Sequence, residues 1–180
     1  KISLGLDMGA IIDKTSLSRM TDIIDRAEKA GAKIVLDGRN PKRPEGCDLG
    51  NWLAPTIIDH ANPGMECANT EIFGPVLTIV RVKSLSEALE LDRLNAYGNA
   101  TSIFTQSGAV ARMVADESAS GMIGINIGVP VPREPFSFGG AKQSKFGALD
   151  ITGMGGLEFW TELKKITSKW SQQGQLNWMS

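Results

Sequence analysis

The 180-residue chain is 42% hydrophobic and 22% charged, and its 19 basic and 20 acidic side chains give a net charge of -1. Near-neutral charge without a basic block provides no electrostatic footprint for nucleic acid or an anionic membrane, and no apolar run approaches the roughly 18 residues of a membrane span. Cys47, Cys67 and the single histidine are too scattered for a disulfide framework or a zinc set, so we predict free thiols and no metal site.

Hydrophobic periodicity predicts helices alternating with short strands. In chain order the predicted elements are a loop at 1–14, a helix at 15–30, strands at 33–36 and 51–58, a strand at 76–82, a helix at 84–95, a strand at 101–105, a helix at 109–118, a strand at 122–127, a helix at 153–163 and a strand at 164–170. The glycine- and proline-containing segment 37–50 is predicted to be a surface loop, and the last ten residues a tail.

Local signals support several of these boundaries. Gly31 is a stop for the first helix, and Ser84 followed by Glu87 has the spacing of a capping box. Pro55 interrupts the strand over 51–58, which predicts an edge strand or a segment leading into a strand. From Val76 onward, strand, helix, strand, helix and strand follow closely, so we expect an α/β fold with a parallel sheet and right-handed crossovers.

Residues of different chemistry stand just before the apolar run at 76–82. Glu71 can accept hydrogen bonds from both hydroxyls of a ribose, and Phe73 can lie against a flat ring. Gly74 allows close backbone approach, and Pro75 fixes the turn. Because ligands in α/β proteins gather where loops leave the sheet, this cluster predicts a ligand site. The alternative is a structural turn with one exposed glutamate.

Two later segments carry further predictions. The segment 128–140 holds three prolines, two phenylalanines and three glycines, and we expect an ordered loop that forms a pocket wall. The alternative is a linker that packs its phenylalanines on its own domain. The strand predicted at 164–170 would present an unpaired edge, which makes it a candidate for self-association.

Four blocks taken together resemble the NAD(P)-dependent aldehyde dehydrogenases, over about Leu6 to Trp170. They are EIFGPV at 71–76, NAYGNATSIFT at 95–105, GMIGINIG at 121–128 and PFSFGGAKQSKFG at 135–147. Within that family, INIGVPVP at 125–132, the stretch 144–147 and the KITSKW ending resemble the methylmalonate-semialdehyde dehydrogenase branch, which passes its acyl group to coenzyme A. Ala148 departs from the acidic residue common in that branch.

The resemblance implies roles by position. Glu71 would bind the hydroxyls of the nicotinamide ribose and Phe73 would pack near the nicotinamide, with NAD as cofactor and coenzyme A as co-substrate. Phe138 would line the aldehyde tunnel, and Asn126 would help to shape it. The strand near Ile166 would join a partner subunit's sheet in a homodimer or tetramer.

The resemblance also implies an organisation of the chain. Residues 1–158 would be the C-terminal part of the catalytic domain, 159–172 the oligomerisation strand region and 173–180 a tail. The nucleophilic cysteine and the dinucleotide-binding fold would precede Lys1, so we assign no catalytic residue and expect the isolated chain to be inactive. The compartment would be the cytoplasm in a bacterium and the mitochondrial matrix in a eukaryote.

Two other functions stay open. One is a hydrolytic aldehyde dehydrogenase that releases its acyl group to water, against which the Ser144-Lys145 pair and the GVPVP loop argue. The other is a non-catalytic folding or association module.

Overall fold

The computed structural model describes residues 8–43 and 45–170. The predictions for 1–7 and for the tail at 171–180 lie outside the described residues. The elements are α1 Lys14–Lys29, β1 Lys33–Leu36, β2 Thr56–Asp59, α2 Glu66–Asn69, β3 Val76–Thr78, α3 Leu85–Leu94, β4 Tyr97–Gly98, β5 Ala100–Ile103, α4 Gly108–Glu117, β6 Met122–Ile125, β7 Ala141–Lys142 and α5 Gly153–Trp160.

Helix α1 forms where periodicity predicts it. The carboxylate of Asp13 accepts a hydrogen bond from the Ser16 N–H at 2.6 Å and so caps the first turn. The buried residues at 20, 23, 24 and 27 form one apolar stripe. Gly31 follows the C-terminus with φ +96, a conformation that favours glycine.

Strands β1, β2 and β3 form one three-stranded sheet in that order. β2 pairs antiparallel with β1 and parallel with β3. Of the two alternatives predicted for this segment, the edge strand is wrong, because β2 is the central strand, whereas residues 51–55 do lead into it. Pro55 is tolerated since it precedes the first strand residue, and the Thr56 N–H donates to the Pro75 carbonyl at 2.8 Å.

Strands β5 and β6 lie parallel, with α4 as the connection between them. This confirms the predicted βαβ unit. The expectation of one sheet that also contains β3 is wrong for the described residues, because α3 leads instead to β4, which pairs antiparallel with β7. Periodicity reports local conformation, whereas the choice of strand partner depends on distant residues.

Helix α3 begins at the predicted cap. The Ser84 Oγ accepts from the Glu87 N–H at 3.2 Å, and the Glu87 carboxylate accepts from the Lys83 N–H at 2.8 Å. The carboxylate thus returns to the residue before the cap, one position earlier than in a standard capping box.

The main hydrophobic core lies between α1 and the three-stranded sheet. Ile24 and Ile58 are completely buried, and each burial of this kind contributes about 1.5–3 kcal/mol. The buried members of this cluster are Met20, Ile23, Ile24, Ala27, Ala32, Leu53, Ile58, Ala61, Cys67 and Ile72. The sheet and α1 therefore share one core.

The C-terminal segment differs from its prediction in one respect. Helix α5 confirms the helix predicted from residue 153, but residues 161–170 contain no strand and are exposed. A strand is defined by its hydrogen-bonded partner, and the described residues provide no partner for this segment. The oligomerisation strand thus stays a prediction.

Candidate functional site

The loop before β3 presents two side chains and buries the one between them. Ile72 is buried in the main core, whereas Glu71 and Phe73 are exposed. The Arg19 guanidinium of α1 donates to the Ile72 carbonyl at 2.6 Å. The core and α1 therefore hold the loop, and its flanking carboxylate and aromatic ring face away from the core.

The backbone of this loop adopts an unusual conformation. Phe73 has φ +55, a left-handed conformation that few large side chains adopt. A Cβ on Gly74 would lie 2.5 Å from the Met20 sulfur, so α1 packs directly against this glycine. Strained backbone of this kind persists where the surroundings fix it, and it is frequent at ligand sites.

A cavity of about 870 Å³ adjoins the Glu71 loop. Residues 68–71 and 94–99, together with Asp92, Thr101, Ser120 and Ser144, form much of its wall. Glu71 lines the cavity, but Phe73, Asn126 and Phe138 do not. The structure therefore places one of the four predicted site residues in this cavity and the other three on surface outside it.

The wall of this cavity combines polar and apolar groups and carries no cation. Hydroxyls, amides and two carboxylates line it, and none of its lining residues is lysine, arginine or histidine. Such a wall suits hydroxyl groups, which can donate to Glu71, better than it suits a phosphate.

Asp92 connects three segments around the cavity. Its carboxylate accepts from the Thr101 hydroxyl at 2.9 Å, the Ser118 hydroxyl at 2.9 Å and the Ala119 N–H at 2.8 Å. Burial alone would raise the pKa of Asp92, but these hydrogen bonds and the nearby charge of Lys142 hold that pKa below its ordinary value. The ionised carboxylate therefore joins α3 to β5 and to the end of α4.

Lys142 is an important residue that the sequence reading missed. Its ammonium donates to the carbonyls of Asp92, Arg93 and Asn95 at 2.7, 3.0 and 2.8 Å. These carbonyls belong to the last turn of α3 and the residue that follows it, where a cation is favoured. The contact joins residues 47 to 50 positions apart, so no local pattern predicts it. In the sequence, Lys142 is visible only as a member of the GGAKQS block.

Both polar atoms of the Asn126 side chain form hydrogen bonds with the backbone of Thr105. The Thr105 N–H donates to Asn126 Oδ1 at 2.9 Å, and Asn126 Nδ2 donates to the Thr105 carbonyl at 3.0 Å. The Asn126 N–H donates to the Ile103 carbonyl at 2.8 Å, and its backbone has φ +56. Asn126 therefore braces the loop after β5.

Phe138 stands on a segment that α5 supports. The Phe138 N–H donates to the Thr152 hydroxyl at 2.9 Å, and the Gly155 N–H donates to the Ser137 hydroxyl at 2.9 Å. Phe138 is 47% exposed. The expectation that 128–140 lacks helix and strand is confirmed, whereas its role as a pocket wall stays a prediction.

The two cysteines lie in different surroundings. Burial raises the pKa of the Cys67 thiol, and Cys67 belongs to the main core. Cys47 is half-buried, and its carbonyl accepts from the Trp52 indole N–H at 2.9 Å. A raised pKa disfavours the thiolate that nucleophilic catalysis needs.

Residues 8–43 and 45–170 contain neither a cluster of metal ligands nor a membrane-spanning helix. No group of three or more histidine, cysteine, aspartate or glutamate side chains there is placed to hold a metal ion. None of the helices in those ranges combines the length and the hydropathy required to cross a membrane.

Comparison with known proteins gives consistent matches. The model of the aldehyde dehydrogenase family matches residues 2–166. The acylating mitochondrial methylmalonate-semialdehyde/malonate-semialdehyde dehydrogenase of Rattus norvegicus is 42% identical over 169 residues, which cover 94% of this chain and 31% of the rat protein. The chain spans about a third of the length of the curated relatives it matches.

Solved structures agree with the sequence relatives. Methylmalonate-semialdehyde dehydrogenase from Oceanimonas doudoroffii superposes with a TM-score of 0.91 at 42% identity, covering 96% of this chain and 35% of that protein. A candidate methylmalonate-semialdehyde dehydrogenase from Sinorhizobium meliloti, solved with NAD, superposes with a TM-score of 0.88 at 40% identity, covering 93% and 34% respectively.

Proposed function

This chain belongs to the aldehyde dehydrogenase family, and from that premise we propose that it is part of an NAD-dependent enzyme that converts malonate or methylmalonate semialdehyde to an acyl-CoA. The family predicted from the four sequence blocks is confirmed. The branch is supported by relatives whose names carry both the semialdehyde and the acylating activity. The overall change is oxidation of the aldehyde, hydride transfer to NAD and capture of the acyl group by the coenzyme A thiol.

The observation that carries the proposal is the Glu71 loop. Ile72 and Arg19 anchor the loop, and the residues on either side of Ile72 expose a carboxylate and an aromatic ring. Phe73 is 81% exposed, so its ring is free to lie against a planar ligand. This pair of groups fits one end of NAD, the nicotinamide ring and the ribose attached to it.

In the proposed complex, NAD supplies the hydride acceptor. Glu71 holds the ribose by accepting hydrogen bonds from its two hydroxyls, which fixes the sugar. Phe73 limits the positions open to the ring and so keeps it near the aldehyde carbon. Fixing reactants in this way is a large part of what a protein contributes to a cofactor reaction.

The aldehyde side of the site is assigned to residues after β6. Phe138 lines the path to the reacting carbon, and Asn126 with the 128–138 loop shapes it. The hydrogen bonds that the Phe138 and Gly155 N–H groups donate to the Thr152 and Ser137 hydroxyls are consistent with a fixed wall.

We assign the nucleophilic cysteine to the part of the family's sequence that lies upstream of these motifs. Neither Cys47 nor Cys67 is placed to attack an aldehyde, since the first accompanies a surface loop and the second belongs to the core. The described part of this chain therefore contributes cofactor and substrate contacts to the proposed enzyme.

Self-association is the remaining part of the proposal. Leu163, Ile166 and Trp170 are 86%, 79% and 90% exposed, and neighbouring exposed apolar side chains favour contact with another chain. We assign this segment to contact between subunits of a homo-oligomer. Sedimentation of wild type beside an Ile166→Lys variant tests it, and an unchanged oligomeric state would contradict it.

The experiment for the activity uses the natural protein that carries this sequence. NADH formation is measured with malonate and methylmalonate semialdehydes, with and without coenzyme A, and the acyl product is identified. Acyl-CoA as product supports the proposal, free acid formed without coenzyme A supports the hydrolytic alternative, and no turnover contradicts both. The 180-residue chain assayed alone tests the expectation that it is inactive.

Glu71→Gln tests the cofactor contact directly. Hydrogen bonds to a charged group contribute about 1.5–3 kcal/mol, so we expect the efficiency of NAD use to fall roughly 10- to 100-fold. Glu45→Gln, at an exposed glutamate in the surface loop, is the matched control. Unchanged NAD kinetics in Glu71→Gln would remove Glu71 from the site.

A further inference from the structure

Three features fix the point at which the chain leaves β6. We call residues 127–131 the arm. The Asn126 amide pairs with both backbone groups of Thr105 at 2.9 and 3.0 Å. The Ser102 hydroxyl donates to the Gly128 carbonyl at 3.0 Å. A Cβ on Gly124 would lie 2.8 Å from a side-chain carbon of Ile127, so the arm folds back closely over β6.

The amide of Asn126 replaces a strand residue. Its donor and acceptor meet the N–H and carbonyl of one residue, as the backbone of a paired strand would. β5 thereby keeps a partner beyond Ile103, while the chain after Asn126 is free to turn away. In this geometry Asn126 has φ +56, a conformation that asparagine tolerates better than most residues.

We call the two hydrogen bonds between the Asn126 side chain and the Thr105 backbone the clamp. The arm that follows it carries exposed apolar side chains. Ile127, Val129 and Val131 are 52%, 72% and 61% exposed. An internal bond from the Val131 N–H to the Val129 carbonyl at 3.0 Å gives the arm a turn of its own. Since the arm's ties to β5 run through the Asn126 clamp and Ser102, losing them would let these side chains change direction.

We propose that Asn126 is a positioning residue: through Thr105, without touching substrate, it sets the direction of the arm and thereby the affinity of the site for the aldehyde. That the ligand is an aldehyde rests on the proposed function, whereas the role of Asn126 in fixing the arm does not. The proposal separates Asn126 from residues that line a tunnel, because both polar atoms of its side chain already have protein partners.

The test compares Asn126→Gly with His60→Gly in the natural protein. Both residues have positive φ, at +56 and +55, so both changes relieve the same backbone strain, but His60 makes no contact with the arm in the described bonds. Ser102→Ala removes the second tie without altering any backbone preference. For each variant, kcat and the KM for aldehyde and for NAD are measured, together with amide hydrogen exchange over 100–131.

The expected result for Asn126→Gly is faster exchange at 103–106 and 126–131 and an aldehyde KM raised about tenfold, with the KM for NAD unchanged. Ser102→Ala should raise the aldehyde KM by about threefold, and His60→Gly should change neither quantity. A merely structural role would lower the amount of active enzyme and leave the aldehyde KM as it was.

Several outcomes overturn the proposal. Unchanged exchange in Asn126→Gly would mean that the clamp does not hold the arm. Faster exchange with an unchanged aldehyde KM would mean that the arm's direction does not affect substrate. Wild-type protein without dehydrogenase activity would instead refute the proposed function, and the exchange comparison would then support or overturn the clamp by itself.

Discussion

Replacing Asp92 by alanine would show how firmly α3, β5 and the end of α4 are joined. The carboxylate accepts three hydrogen bonds, from Thr101, Ser118 and Ala119. A bond to a charged acceptor contributes about 1.5–3 kcal/mol, but Asp92 is only half-buried, so about 1 kcal/mol for each bond is more realistic. We therefore expect the free energy of unfolding to fall by about 3 kcal/mol.

The assay is urea denaturation followed by circular dichroism and tryptophan fluorescence. Thr101→Val removes one of the three donors, and the double variant with Asp92→Ala should show a coupling energy of about 1 kcal/mol. Asp22→Ala, at an exposed position on α1, should change stability by less than about 0.5 kcal/mol. A loss below about 0.5 kcal/mol in Asp92→Ala, or additive effects in the double variant, would refute the reasoning.

Three further substitutions test an ion pair, the main core and a close backbone contact. The hydrogen bond from Arg81 lowers the pKa of Asp59 to about 2, so the stability contributed by this pair is present above the unfolded pKa of about 4 and is lost as the pH falls toward about 2. Asp59→Asn should flatten stability over that pH range in acid titrations, and an acid limb equal to wild type would count against the pair. Ile24→Ala removes a completely buried side chain and should cost about 2–5 kcal/mol in urea denaturation; a cost under about 1 kcal/mol would mean a loosely packed core. Gly153→Ala places a Cβ 2.6 Å from a backbone oxygen at φ +56 and should lower the melting temperature more than Gly147→Ala, where φ is +75 and the space is open; equal shifts would show that the close contact is unimportant.

The elements that the sequence predicts well are those fixed by neighbouring residues. Helix α1 follows from apolar spacing and its Gly31 stop, and α3 follows from the Ser84 cap. Strand pairing was predicted less well, because the sequence of a short strand such as β3 does not indicate which strand it pairs with. The central position of β2 was missed for the same reason, since Pro55 lies just outside the ladder.

The candidate site shows the same division. The chemical types at Glu71 and Phe73 are visible in the sequence and predict a ligand loop. Its support is not visible, since Arg19 and Met20 reach it from α1 across a long stretch of chain. Lys142 was missed because its three acceptors are backbone carbonyls. Every residue has such a carbonyl, so the sequence does not reveal which ones accept.

The position of the core has a consequence for how the two sides of the site respond to stress. The main cluster draws its members from residues 20–72, and among described residues after 72 the buried hydrophobics are Leu89, Ala111 and Val114. Segments with little buried apolar area open at lower free energy than the core. We expect a partly unfolded state in which the arm and the Phe138 segment have opened while the Glu71 loop, anchored by Ile72, still holds its shape. The cofactor side of the site would then be the more durable half and the aldehyde side the more adaptable one.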